Sequence, residues 1–155
     1  GYRGLGDVFV FIFFGLVAVY GSYFLYAHQW DWLILLPAIS IGLLSIGVLN
    51  LNNMRDQLSD KKAGKNTLVV KLGAKKAKNY HYALILGAIL CLVLFSVLTL
   101  DSFTDFLYLP FLILLILHLK RVVENENPIL LDPELKILAL STFAVSVFFG
   151  LGQLW

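Results

Sequence analysis

The sequence predicts an all-α fold, a polytopic transmembrane bundle of five spans. Three observations carry this reading. The 155-residue chain is 59% hydrophobic and only 14% charged, with mean hydropathy +0.83, which is too apolar for a soluble domain of this size. Its apolar residues gather into five runs near the length that crosses a hydrocarbon core, about 20 residues for roughly 30 Å. Its basic residues collect in alternate connections, as in proteins whose topology is set by Lys and Arg.

The runs are 7–27, 32–53, 82–100, 106–119 and 137–154. The first begins at Asp7 and stops before the polar stretch His28-Gln29-Trp30-Asp31. The second opens on Trp32 and carries Pro37 near its start, where a missing N–H costs least. The third follows a lysine-rich connection. The fourth is short and contains Pro110. The fifth follows Asp132-Pro133-Glu134. Residues 61–79 form the one long polar connection, too short for a separate domain. With no repeat or low-complexity segment, residues 1–155 read as part of a single transmembrane domain. The chain opens Gly1-Tyr2-Arg3-Gly4 without a signal-peptide pattern and reads as a piece of a longer protein.

Eight of the twelve Lys/Arg are Arg55, Lys61, Lys62, Lys65, Lys71, Lys75, Lys76 and Lys78. Lys120, Arg121 and Lys136 lie in the loop between the fourth and fifth spans, and Arg3 precedes the first. Residues 28–31 and 101–105 contain neither Lys nor Arg. Five spans then alternate without conflict: the N-terminus and both basic loops are cytoplasmic, and the C-terminus is outside. A multi-pass protein of the cell inner (plasma) membrane is expected, with Trp30, Trp32 and Trp155 forming an aromatic belt at the outer boundary. The lone Cys91 has no disulfide partner in the chain and reads as an apolar filler. His28, His81 and His118 are far apart in sequence and read as interfacial polar residues. No zinc-like spacing is present, and no nucleic-acid partner is expected.

The stretch from Asn50 to Leu68 carries the chemistry: Asn50-Leu-Asn-Asn53-Met-Arg55-Asp56-Gln-Leu-Ser-Asp60-Lys61-Lys-Ala-Gly64-Lys65-Asn-Thr67-Leu68. Two carboxylates four residues apart repel on an isolated helix. Taking the second span as helical through Asp60, Asn50, Asn53, Asp56 and Asp60 fall within an arc of roughly 120°, and the two aspartates differ by about 40° around the axis and about 6 Å along it. Both carboxylates then reach common Mg²⁺ ions, which favour oxygen ligands and often bind through one or two carboxylates plus substrate phosphate oxygens. Asn50 and Asn53 extend the polar face inward, where they could orient the ligand or the water around the cation. Arg55 points away from this arc if the helix stays regular, and swings toward a phosphate if the helix unwinds there. Lys61, Lys62 and Lys65 suit a phosphorylated ligand, and Gly64-Lys65 suggests a turn that presents a lysine. The competing reading is a juxtamembrane lattice of ion pairs, common and weak. Asp7, at the mouth of the first span, reads as a helix N-terminal acid or as a group facing a substrate.

The run from Asn52 to Gly73 resembles the second aspartate-rich motif of the UbiA superfamily of intramembrane prenyltransferases. Its Asn52-Asn53 pair, Arg55-Asp56 and Ala63-Gly64-Lys65-Asn-Thr67-Leu68 tail look like the menaquinone branch. Tyr2-Arg3-Gly4-Leu5-Gly6-Asp7 with Phe13-Phe14-Gly15, and Leu131-Asp132-Pro133-Glu134-Leu135-Lys136, are similar to further stretches of that branch. The resemblance covers the whole chain but only the C-terminal part of the family's fold, so the five spans match the last five of nine. It implies an enzyme that moves a polyprenyl group from a polyprenyl diphosphate to 1,4-dihydroxy-2-naphthoate, with decarboxylation. Asp56 and Asp60 become the catalytic pair and the Mg²⁺ ligands, and Arg55, Lys61 and Lys65 the diphosphate contacts. It also implies an N-terminal half carrying a first aspartate-rich motif, without which this piece is expected to be inactive. Two alternatives stand beside it: the same chemistry on another ring such as 4-hydroxybenzoate, and a non-enzymatic transporter or lipid-binding subunit. The latter predicts charges deep within the spans and an inverted half-repeat, and the sequence has neither.

Overall fold

The computed structural model describes residues 4–154; Tyr2, Arg3 and Trp155 lie outside the described residues. Five helices are long and apolar enough to cross a membrane: α1 Gly6–Ala27, α2 Trp32–Arg55, α5 Ala74–Leu98, α6 Phe103–Glu124 and α7 Pro128–Gly152. Two short helices, α3 Gln57–Lys62 and α4 Leu68–Leu72, connect α2 to α5. Among the described residues there is no strand. The five-span expectation therefore holds, with different boundaries.

The helices overrun the apolar runs. α5 begins at Ala74 rather than near residue 82, α6 covers Phe103–Glu124, and α7 starts at Pro128. Hydropathy marks the part of a helix that needs apolar surroundings, whereas backbone hydrogen bonding continues into water as long as sequence and caps allow. At α5 the extension carries Lys75, Lys76 and Lys78. Lys78 Nζ reaches the Val123 carbonyl at 3.2 Å and also bonds the Asn125 carbonyl, so a cation covers the C-terminal end of α6. At α7, Asp132 and Glu134 occupy the first helical turn with Pro133 between them, the end of a helix where acids and proline are favoured.

α2 is the central helix and packs on α1, α5 and α7, while α6 packs on α5 and α7. The core gathers Leu44, Leu51, Ile85, Leu92, Leu115 and Leu138. Small and hydroxyl residues set the closest approaches, as between helices in lipid. Ser40 Oγ donates to the Ala88 carbonyl at 2.8 Å across α2 and α5. A Cβ on Gly15 of α1 would lie 2.7 Å from the Ala38 carbonyl oxygen and 2.9 Å from Gly42 Cα on α2. The contact falls within Phe11–Gly21, a π-helical stretch of α1.

The 61–79 connection is ordered. α3 ends in a Schellman motif: Gly64 at φ +70 lets its N–H reach the Lys61 carbonyl (3.2 Å) and the Lys65 N–H reach the Asp60 carbonyl (2.9 Å). Thr67 Oγ1 accepts from the Val70 N–H at 3.3 Å and caps α4.

Candidate functional site

α2 does not run unbroken through Asp60. It ends at Arg55, Asp56 sits at φ −92 and ψ 5, and α3 restarts at Gln57. The break is slight: the Asp56 N–H still bonds the Asn52 carbonyl (3.0 Å) and the Asp60 N–H the Asp56 carbonyl (2.9 Å). The aspartates thus remain one turn apart on successive helices, at the end of the bundle that carries α3 and α4.

The break turns Arg55 onto its neighbour. Arg55 Nε donates to Asp56 Oδ1 at 2.9 Å and Nη2 to Asp56 Oδ2 at 2.9 Å, a two-point contact. The same Nη2 donates to Asn52 Oδ1 at 2.9 Å, and Nη1 donates to Asp132 Oδ1 on α7 at 2.6 Å. Hydrogen bonds from this guanidinium hold the Asp56 carboxyl below the usual carboxylate range. Asp60 is buried, and Lys65 Nζ donates to its Oδ1 at 2.8 Å. The Schellman turn at Gly64 is what folds Lys65 back over Asp60. Lys61 is exposed on α3.

Of the two asparagines expected to orient ligand or water beside the aspartates, Asn53 is half-buried. Asn50 is placed elsewhere. It is 1% exposed and ties α2 to α5, its Nδ2 donating to the Ala77 carbonyl (3.2 Å) and lying against Met54 Sδ (3.4 Å). α5 covers that edge of α2, so the Asn50 amide nitrogen is engaged at the helix interface. Asn52, which the sequence reading left without a role, braces Arg55; its spacing of three from Arg55 is the signal that could have found it. Asp7 is buried in the first turn of α1, where an acid is favoured, and accepts from Tyr80 Oη on α5 at 3.0 Å.

The donor set suits half of a metal–diphosphate site. Among the described residues no group of three or more His, Cys, Asp or Glu could hold a metal ion. Asp56 and Asp60 carry hard carboxylate oxygens, of the kind and number Mg²⁺ takes from protein when phosphate oxygens and water complete its shell. Next to the site, a cleft of about 460 Å³ runs between α1, α2 and α7. Its wall includes Val10, Phe14, Leu49, Ala139 and, nearest the aspartates in sequence, Asn52.

His28 is exposed at the end of α1, as expected, but the other two histidines depart most from expectation. His81 on α5 and His118 on α6 are fully buried and face each other, with Nε2 to Nε2 at 2.9 Å. His118 Nδ1 lies 2.7 Å from Glu134 Oε2 on α7, and Arg121 Nε donates to Glu134 Oε1. One direction satisfies every contact: His118 Nδ1–H donates to Glu134, and His81 Nε2–H donates to His118 Nε2. His81 Nδ1 is then left to accept a long contact of 3.5 Å from Asn50 Nδ2. This chain crosses four helices and locks α7 by its first turn.

Known proteins match this chain as follows. The model of the UbiA prenyltransferase family matches residues 1–129. The 1,4-dihydroxy-2-naphthoate octaprenyltransferase of Haemophilus influenzae is 45% identical over 154 residues, covering 99% of this chain and 50% of that protein. The protein of the same name from Escherichia coli is 41% identical over 152 residues, 98% of this chain and 49% of that protein. The UbiA prenyltransferase domain-containing protein 1 of Dictyostelium discoideum is 34% identical over 149 residues, 96% of this chain and 42% of that protein. The chain therefore spans about half the length of the curated relatives it matches. No solved structure matches. With the family model covering most of the chain and five spanning helices in place, this multi-pass membrane protein belongs to the UbiA prenyltransferase family.

Proposed function

We propose that residues 1–155 form the C-terminal part of a single prenyltransferase domain that transfers a polyprenyl group from polyprenyl diphosphate to 1,4-dihydroxy-2-naphthoate. Loss of the acceptor carboxylate as CO2 accompanies transfer and gives the prenylated naphthoquinol, the two-electron-reduced form of demethylmenaquinone. The acceptor is supported by the names of the relatives from Haemophilus influenzae and Escherichia coli. The observation that carries the reaction class is the pairing at the basic end of the bundle. Two aspartates one turn apart, each covered by a basic side chain, lie beside an apolar cleft.

In this reading Asp56 and Asp60 hold Mg²⁺, with the remaining ligands coming from the diphosphate and from a first aspartate-rich motif in the rest of the protein. Bound there, the cation would neutralise the diphosphate and ease its departure. Arg55, Lys61 and Lys65 bind the diphosphate oxygens as charge builds on the leaving group. Asn53 orients water or ligand beside the aspartates, while Asn50 fixes α2 on α5. The cleft walls of α1, α2 and α7 receive the first part of the prenyl chain and keep water from the allylic carbon, where positive charge develops before the aromatic ring attacks. The basic loops place this end at the cytoplasmic face of the inner membrane, with the C-terminus outside.

The test is prenyl transfer in membranes holding the full-length parent, with 1,4-dihydroxy-2-naphthoate and a polyprenyl diphosphate, with and without Mg²⁺. Mg²⁺-dependent product that disappears in the Asp56→Asn/Asp60→Asn double variant is the expected result. Diphosphate release only with a different ring would replace the acceptor, and no transfer with any ring would overturn the reading.

A further inference from the structure

Both carboxylates assigned to the metal are occupied by cations of the chain itself. Arg55 covers both oxygens of Asp56, and Lys65 covers one oxygen of Asp60. A divalent cation competes with Arg55 for the same two oxygens and is repelled by its charge, so metal binding at Asp56 loosens or displaces Arg55. Arg55 also has a second acid. Its Nη1 donates to Asp132, seventy-seven residues away in sequence, at 2.6 Å.

We propose that Arg55 is an exchangeable counter-ion of Asp56 and that Asp132 is the positioning residue that keeps Arg55 at the site during the exchange. The inference rests on the metal–diphosphate reading above and deepens it. Before exchange, Arg55 is shared by two carboxylates, and the trio carries one net negative charge, which attracts a divalent cation. When the cation takes Asp56, Arg55 and Asp132 remain as a neutral pair. The Nε and Nη2 groups that Asp56 gives up are then available to the oxygens of the incoming diphosphate. No proton moves and no covalent bond changes.

Two features make Asp132 more than an incidental surface partner. Its side chain is 69% exposed, yet its backbone is fixed, because Pro133 follows it and Glu134, two residues on, is buried against His118 and Arg121. The carboxylate is therefore presented from a locked turn. Its bond to Arg55 is also weak enough to be adjusted: partly exposed ion pairs add little stability, less than a bound ligand overcomes. A sealed ion pair in the same place would block the metal.

The experiment measures Mn²⁺ binding to the full-length parent by the electron paramagnetic resonance signal of the free ion, without prenyl donor. Arg55→Gln should bind Mn²⁺ about three- to tenfold tighter, since the competing cation is gone, while its KM for the prenyl diphosphate rises. Asp132→Asn should bind Mn²⁺ about two- to threefold more weakly, because Arg55 then has only Asp56 as its acid. Asp132→Glu should restore binding. Introduced into Arg55→Gln, Asp132→Asn should lose most of its effect, as coupling through Arg55 requires. An affinity unchanged or weakened in Arg55→Gln overturns the proposal, as does an Asp132→Asn effect that is equal with and without Arg55. Mn²⁺ binding untouched by Asp56→Asn/Asp60→Asn would instead remove the metal reading, and this inference with it.

Discussion

Two polar clusters stand at the same end of this bundle and are built on opposite terms. The aspartate cluster draws on one short segment, Asn52 to Lys65, plus Asp132, and each of its ion pairs reaches solvent through at least one partner: the side chains of Arg55, Asp56 and Lys65 are 28%, 34% and 44% exposed, while Asp60 is buried. The histidine cluster draws on α5, α6 and α7, and His81 and His118 are fully buried. Open pairs are cheap to break and can be handed to a ligand. Sealed ones cannot be broken without stranding polar groups in an apolar interior. On the proposed reading, the contrast separates a place where ligands exchange from a place where helices are fixed, although both are made of acids and bases.

Mutations should divide along the same line. The largest effect is expected at the aspartates. Asp56→Ala in the full-length parent should lower turnover on the order of 10²–10³-fold while membrane insertion and thermal stability stay near wild type. Near-normal turnover would remove Asp56 from the metal shell. The opposite signature is expected at Glu134→Leu, which strands Arg121 and His118. It should cost about 2–3 kcal/mol of stability, between the small energies of hydrogen bonds among membrane helices and those of buried ion pairs. Activity per folded molecule should fall much less. An unchanged denaturation midpoint would show that the buried chain fixes nothing.

Smaller effects sharpen the contrast. Lys65→Ala should raise KM for the prenyl diphosphate roughly tenfold with little change in kcat; a collapsed kcat at unchanged KM would instead give Lys65 a role confined to the transition state. The smallest effect is in pH. Arg55 depresses the Asp56 pKa in the folded protein, so the pair stabilises the fold above the ordinary aspartate value of about 3.9. That contribution is lost as pH falls through the lower folded value. The stability difference between wild type and Asp56→Asn should be flat from neutral pH down to about 4 and vanish below it. A difference that instead shrinks between pH 7 and 5 would mean that Asp56 is not the group involved.

How much of this is legible in the sequence follows from the same contrast. The aspartate pair is local, and a spacing of four survives the break at Asp56 because the backbone bonds on either side persist. The five spans are legible because composition alone demands them. The histidine cluster is not, for a physical reason. His81 precedes the apolar run that starts at residue 82, Glu134 precedes the run that starts at 137, and His118 is next to last in the run that ends at 119. Each looks like a residue at the membrane surface, since hydropathy reports distance from water along one helix and says nothing about which other helix covers it. Asn50 was placed with the aspartates for a related reason: helical periodicity fixes its direction from the α2 axis but not that α5 stands there. Asp132 lies too far away in the chain for any spacing argument to reach Arg55.

The touching backbones of Gly15 and Gly42 have a consequence for how α1 tolerates change. Much of the rest of α1 is not held by shape: Phe9, Phe13, Phe14 and Val17 are each more than half exposed, while Asp7, Gly15 and Tyr20 are buried. A saturation scan along α1 should therefore return a nearly flat profile for apolar exchanges, interrupted at Gly15. There even alanine would push a carbon to within 2.7 Å of the Ala38 carbonyl oxygen and lever the whole helix off its neighbour. The width of α1's seat, and with it the width of the cleft it borders, is thus metered by a single missing methyl group.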